Sequence, residues 1–164
     1  MFDTLFGLPT HALIVHAVVI FVPLTALAAV ALTVVPSWRT RFGVLAALAA
    51  LTSIGSVLIA QEAGEELADR VLSMEDAPFE LVLRHTELGE KLLPWVLMLS
   101  IALLALIGLA FWAARRGEQR PTWVNLAGWG LGVISIVGAV LSIIYVIQIG
   151  HSGTEAVWSD LPPS

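Results

Sequence analysis

The sequence predicts an all-α integral membrane protein, built as a bundle of four transmembrane helices. Of its 164 residues, 58% are hydrophobic and only 13% are charged, and the mean hydropathy is +0.90, far from the balance of a soluble domain. Four charge-free apolar runs of 20 to 27 residues supply the helices: 12–35, 42–61, 92–114 and 123–149. Each run can cross a hydrocarbon core of about 30 Å at about 1.5 Å per residue.

The first two helices are delimited by proline and by composition. The first is expected over residues 10–35, because Pro9 suits a first helical turn and Pro36 ends the run. The second is expected over 42–61, where the small residues of "LAALAALTSIGS" allow a neighbouring helix to pack closely. The connection over 62–91 is acidic, and its apolar residues at helical spacing predict a short surface helix with Leu67, Val71 and Leu72.

The third and fourth helices complete a single domain that covers residues 1–164. Pro78 starts a helical stretch that runs on into the third membrane helix, which is expected over 79–114 with Pro94 inside it. The fourth helix is expected over 123–150, where Gly128 and Gly132 have the spacing of a small-xxx-small packing motif.

The charged residues predict how the bundle is oriented. Five of the eight cations lie in the two short turns between helices: Arg39, Arg41, Arg115, Arg116 and Arg120. Twelve of the thirteen acids lie on the other side, in the N-terminus, the 62–91 connection and the C-terminal tail. By the positive-inside rule, the arginine turns face the cytoplasm and both termini face outward from the cytoplasmic membrane.

All four histidines fall on the predicted outer side: His11, His16, His85 and His151. His16 lies about 7.5 Å deeper than His11, and the two are about 140° apart around the helix, so they cannot easily chelate one ion together. Ionisable residues inside a membrane are functional candidates. Histidines from different helices at one depth of an apolar bundle are suitable axial ligands for heme.

We therefore predict one or two b-type hemes near the outer face, with His16 and His85 as the first ligand pair. His11 and His151 are the second pair, or contacts to propionate and water. Gly89, one turn from His85, would leave room for a flat macrocycle, and Arg84 and Lys91 are candidate partners of the heme propionates.

Other functions are open at this stage. The same four histidines could bind zinc or copper, with Glu62, Glu87 or Glu155 as further ligands, or they could simply tether the helices of a structural subunit. The chain has no cysteine, which excludes disulfides, iron–sulfur ligation and thiolate-bound heme. It has no nucleophile elbow, phosphate loop or nucleic-acid patch, so an electron-transfer or binding subunit is expected rather than an enzyme by itself.

Four motifs in order, "LPTHALIVHAVVIFVPL", "AQEAGEEL", "RHTELGEKLLPW" and "GHSGTEAVW", lie between or beside the apolar runs. Together they resemble the bacterial membrane family known as domain of unknown function 2231, in its actinobacterial form. The resemblance covers essentially the whole chain. His11, His16, His85 and His151 match the family's histidine positions, whereas Ala12 stands where family patterns often have proline.

The resemblance implies four membrane helices and a redox role. Related domains are joined to Rieske or cytochrome-like modules, which implies b-type heme and electron transport. The partners expected are the lipid bilayer and a respiratory or other redox complex, or a second copy of the chain.

Overall fold

A computed structural model describes residues 4–5, 8–75, 77–119 and 121–158. Two short strands, β1 (Thr4–Leu5) and β2 (Leu8–Pro9), pair antiparallel ahead of the first helix. The helices are α1 (Thr10–Val34), α2 (Trp38–Arg41), α3 (Gly43–Leu72), α4 (Phe79–Arg116) and α5 (Trp123–Trp158), with a 3-10 turn at Gly117–Gln119.

The four long helices α1, α3, α4 and α5 form an antiparallel bundle, which confirms the predicted fold. Each is long and apolar enough to cross a membrane. Helices α1 and α4 each pack against both α3 and α5, so α1 and α4 lie diagonally across the bundle. One end, where α1 begins, α3 leads into α4 and α5 ends, is here termed the histidine end. The other, with α2 and the Gly117–Gln119 turn, is the arginine end.

Two helices differ in length from the sequence prediction. Helix α3 continues without interruption to Leu72, so the separate surface helix expected at Leu67, Val71 and Leu72 is instead the last part of α3. Residues 62–72 are rich in Ala, Glu and Leu, which favour helix whether or not lipid surrounds them. Helix α5 likewise extends to Trp158. Helix α4 begins at Phe79 and continues through Pro94, as its sequence indicates.

The bundle interior combines buried leucines and valines with buried polar side chains, and many other large aliphatic side chains face outward. Thr25 and Ser53 are fully buried and hydrogen-bonded to each other at 2.9 Å, whereas Leu27 is 68% exposed. This distribution suits a lipid environment, where an outward leucine contacts apolar lipid chains without a free-energy penalty. Helices there associate through small residues and interhelical hydrogen bonds.

Glycines allow the helix backbones to approach closely. A Cβ atom at Gly138 of α5 would lie 2.6 Å from the backbone nitrogen of Leu99 in α4. A Cβ atom at Gly132 would lie 2.5 Å from Thr33 of α1, and one at Gly128 would lie 2.9 Å from Arg39. The two glycines of the small-xxx-small motif therefore face α1 and the turn that follows it.

Candidate functional site

Two of the four histidines meet at the histidine end. The ring centroids of His11 in α1 and His85 in α4 are 6.1 Å apart, and the ring planes are 86° from parallel. Both side chains are half-buried. Because α1 and α4 lie diagonally, the two imidazoles meet across the middle of the bundle, and we term them the histidine pair.

The ring of His11 is held by α3. Its Nδ1 lies 2.9 Å from the carbonyl oxygen of Ala60, and since a carbonyl can only accept, Nδ1 is the donor. In the neutral ring the lone pair is then on Nε2. A Cβ atom at Gly64 would lie 3.0 Å from Cε1 and Nδ1 of His11, so this ring occupies the space that a side chain at Gly64 would need.

The ring of His85 is held in the same way by α5. Its Nδ1 lies 3.0 Å from the hydroxyl of the buried Ser152, and that hydroxyl donates to the carbonyl of Ile149 at 3.1 Å. With its one proton used, Ser152 accepts from Nδ1 of His85, and the lone pair is again on Nε2. A Cβ atom at Gly153 would lie 3.0 Å from Cε1 of His85.

The histidine pair thus draws on all four long helices. Each imidazole comes from one of two diagonal helices and is fixed through Nδ1 by a helix next to it. Each also lies against a glycine of that same neighbouring helix. Orienting an imidazole through one nitrogen so that the other is available is the usual arrangement for a metal-binding histidine.

The structure does not place His16 in this pair. Its side chain is exposed on the outside of α1, and its Nδ1 lies 2.6 Å from the carbonyl oxygen of Ala12 in the same helix. The expectation that His16 rather than His11 faces the bundle is therefore reversed. Five residues separate them, so when His11 points inward, His16 is turned about 140° away.

His151 is also separate from the pair. It is exposed, and its Nε2 lies 3.2 Å from Oε1 of Glu155 in the same helix. The other carboxylate oxygen of Glu155 lies 3.4 Å from Nη1 of Arg84, which connects α5 to α4. His151 and Glu155 line a groove of about 470 Å³ together with Leu81, Thr154 and Trp158.

The remaining candidate residues lie around the same end of the bundle. Gly89 has open space where a Cβ would be, and its carbonyl accepts a hydrogen bond of 2.8 Å from Nε2 of Gln61. Lys91 lies 3.8 Å from Glu87 one turn away, and both side chains are largely exposed. Such a solvated ion pair contributes little to stability.

The described residues do not contain a group of three or more histidine, aspartate or glutamate side chains placed to hold one metal ion. In the histidine pair, Nε2 is the ring nitrogen that the contacts to Ala60 and Ser152 leave over. Glu155, one of the carboxylates considered as a zinc or copper ligand, is engaged by Arg84 and His151.

Sequence reasoning did not find the four residues that hold the pair: Ala60, Gly64, Ser152 and Gly153. The two glycines could have been found, because each lies inside a helical segment of a family motif: Gly64 in "AQEAGEEL" and Gly153 in "GHSGTEAVW". Glycine inside a helix is destabilising relative to alanine, so its presence indicates a need for space.

Comparisons with known proteins identify the family. No curated protein and no solved structure matches the chain. A family model described as "Predicted membrane protein (DUF2231)" matches residues 7–161, nearly the whole sequence. The resemblance seen in the sequence motifs is thereby confirmed, and the protein is a multi-pass membrane protein with four spans that belongs to the DUF2231 family.

Proposed function

We propose that this protein binds one b-type heme at its histidine end, with His11 and His85 as axial ligands, and that it takes part in electron transfer in the membrane. The observation that carries the proposal is the histidine pair: two imidazoles from diagonal helices, each with Nδ1 bonded to protein and Nε2 available. Imidazole from two helices is a common axial ligand set for heme iron in helical bundles.

The spacing of the pair supports a shared ion. Metal–nitrogen bonds of about 2 Å to imidazole put the centroids of two rings on opposite sides of one ion roughly 6 Å apart. The observed separation is 6.1 Å. The distance between the ring centroids therefore matches the length expected for two imidazoles that share one iron.

Residues of the kinds that line heme sites lie around the pair. Directly along the bundle lies an apolar cluster of buried residues, Val18, Val22, Val57, Leu92 and Val96, against which Ala60 and Ile149 pack. Gly89 leaves open space one turn from His85, and Arg84 and Lys91 are cations at the rim. Bound heme would supply a one-electron couple, while the protein supplies the ligands and their orientation.

The proposal is for a single heme. His16 and His151 each interact within their own helix, at Ala12 and Glu155, and both side chains are exposed. They therefore do not resemble a second pair of axial ligands.

We further propose that the histidine end faces outward from the bacterial inner membrane, with the arginine end in the cytoplasm. The support is the charge distribution, since five of eight cations lie in the arginine turns and twelve of thirteen acids lie on the opposite side. A redox complex in the same membrane, or a second copy of the chain, is the partner proposed.

Absorption spectroscopy of the protein purified in detergent from heme-sufficient cells tests the function. A Soret band, with an α band that sharpens on reduction with dithionite, is expected at one heme per chain. His11→Ala and His85→Ala should each abolish the spectrum, while the matched variants His16→Ala and His151→Ala should keep it.

Three results would overturn the proposal. Full heme content in both His11→Ala and His85→Ala would exclude these ligands. A colourless protein with stoichiometric zinc or copper would show a metal-ion protein instead. A colourless, metal-free protein that stays folded when all four histidines are replaced would leave a structural subunit.

A further inference from the structure

The arginine end carries exposed guanidinium groups that are paired with no carboxylate among the described side chains. Arg41, Arg115 and Arg116 are all exposed. Among the side chains that the structure describes, none of the three forms an ion pair. At the histidine end, by contrast, Arg84 and Lys91 each lie within 4 Å of a glutamate, at 3.4 and 3.8 Å.

These three arginines belong to one surface of the bundle. Helix α2, which ends at Arg41, packs against α4, and a Cβ atom at Gly43 would lie 2.9 Å from Ile107 of α4. Arg115 and Arg116 are the last residues of α4. The ends of α2 and α4 therefore present their positive charge on the same end of the bundle, and we term the three residues the arginine surface. Arg120 lies outside the described residues.

Aromatic rings lie beneath two of the three guanidinium groups. The Arg116 guanidinium lies 4.5 Å from the ring centroid of Trp112, and that of Arg41 lies 5.4 Å from the ring of Phe42. Trp112 in turn contacts Trp123 of α5 at 5.8 Å between centroids. A guanidinium held over a ring keeps its N–H donors free around its edge, where they can bind the oxygens of a phosphate.

Arg39, in the same turn, has a different role. Its Nε donates to the carbonyl of Leu32 at 2.7 Å and its Nη2 to that of Thr33 at 3.2 Å, which satisfies carbonyl groups at the end of α1. Its guanidinium also lies against Gly128. Arg39 is thus engaged in holding the turn, and the arginine surface does not include it.

We propose that the arginine surface binds the phosphate head groups of anionic phospholipids in the leaflet that it faces. The four spans place these residues at the ends of the apolar runs, at the depth of lipid phosphates, and exposed tryptophans mark the same boundary at Trp38, Trp112 and Trp123. Exposed positive charge over aromatic rings at that depth is complementary to an anionic head group.

The experiment compares lipid binding by the full chain and two charge-matched variants. Native mass spectrometry would count phosphatidylglycerol and phosphatidylcholine molecules retained by detergent-solubilised protein during titration with each lipid. One variant is Arg41→Gln with Arg115→Gln and Arg116→Gln. The control is Arg70→Gln with Arg84→Gln and Lys91→Gln, which removes the same charge from the histidine end.

The unaltered protein and the control variant should bind phosphatidylglycerol at least tenfold more tightly than phosphatidylcholine. The arginine-surface variant should lose this preference. Each arginine near a charged lipid surface is worth about 1 kcal/mol, or roughly fivefold in affinity. Equal affinity of the unaltered protein for both lipids would overturn the proposal. An equal decrease of phosphatidylglycerol affinity in the two variants would also overturn it. Elution volume and circular dichroism establish that each variant is folded, and a misfolded triple variant is replaced by the three single substitutions.

Discussion

His85 and Ser152 are joined across the α4–α5 interface by a hydrogen bond of 3.0 Å, in which the imidazole Nδ1 donates and the buried hydroxyl accepts. Because the hydroxyl proton is used on the carbonyl of Ile149, this one contact sets both the tautomer and the direction of the His85 ring. Helix α5 contributes no imidazole to the pair, but through this contact it orients the ring of His85.

Removal of this acceptor should weaken ligand binding at the pair. Ser152→Ala leaves Nδ1 of His85 without its acceptor, and loss of such an outer partner typically costs 10- to 100-fold in metal affinity. Heme titration followed by absorbance measures the change. Thr154→Ala is the matched control, because that hydroxyl is exposed and bonds only within its own helix. Equal affinity of the two variants would show that Ser152 does not orient the ring.

The glycines beside the two rings should not tolerate alanine. In Gly64→Ala and Gly153→Ala the new Cβ would lie 3.0 Å from an imidazole carbon, so His11 or His85 must move. We expect lower heme content in both variants. Gly130→Ala, where no atom lies within 4 Å of the added Cβ, is the control and should match or slightly exceed the unaltered protein in thermal stability. Full heme content in both site variants would mean that the rings do not need these positions.

Close packing of α4 and α5 should make Gly138 the most sensitive glycine of the bundle interior. Its added Cβ would lie 2.6 Å from the Leu99 backbone nitrogen, and a backbone atom cannot rotate away as a side chain can. Gly138→Ala should therefore lower the melting temperature in detergent by several degrees, as about 1–3 kcal/mol of overpacking predicts. Gly108→Ala, which has open space, is the comparison. An unchanged melting temperature in both would contradict the observed α4–α5 spacing.

The four membrane spans could be predicted from the runs of apolar residues. The end of the bundle at which the histidines gather followed from the direction in which each span crosses the membrane. The sequence was insufficient for the rotation of α1. Apolar residues occupy every side of that helix, so no face is marked as inward, and His11 and His16 were equally compatible with the pattern.

The length of α3 was missed for a different reason. Acidic residues after Gln61 mark the end of an apolar segment, but a helix does not have to end where lipid ends. Ala60 and Ser152 were missed because a backbone carbonyl and a serine have no chemical signature in a sequence. Their importance comes from the positions of His11 and His85 across two interfaces.

The diagonal placement of the pair means that α1 and α4, which pack mainly against α3 and α5, are joined at this end by two imidazole rings. A molecule that engages both imidazoles would crosslink two helices that lie diagonally opposite in the bundle. Its free energy of binding would be added to that of folding, so melting temperature would rise with ligand concentration and report occupancy even without an optical signal.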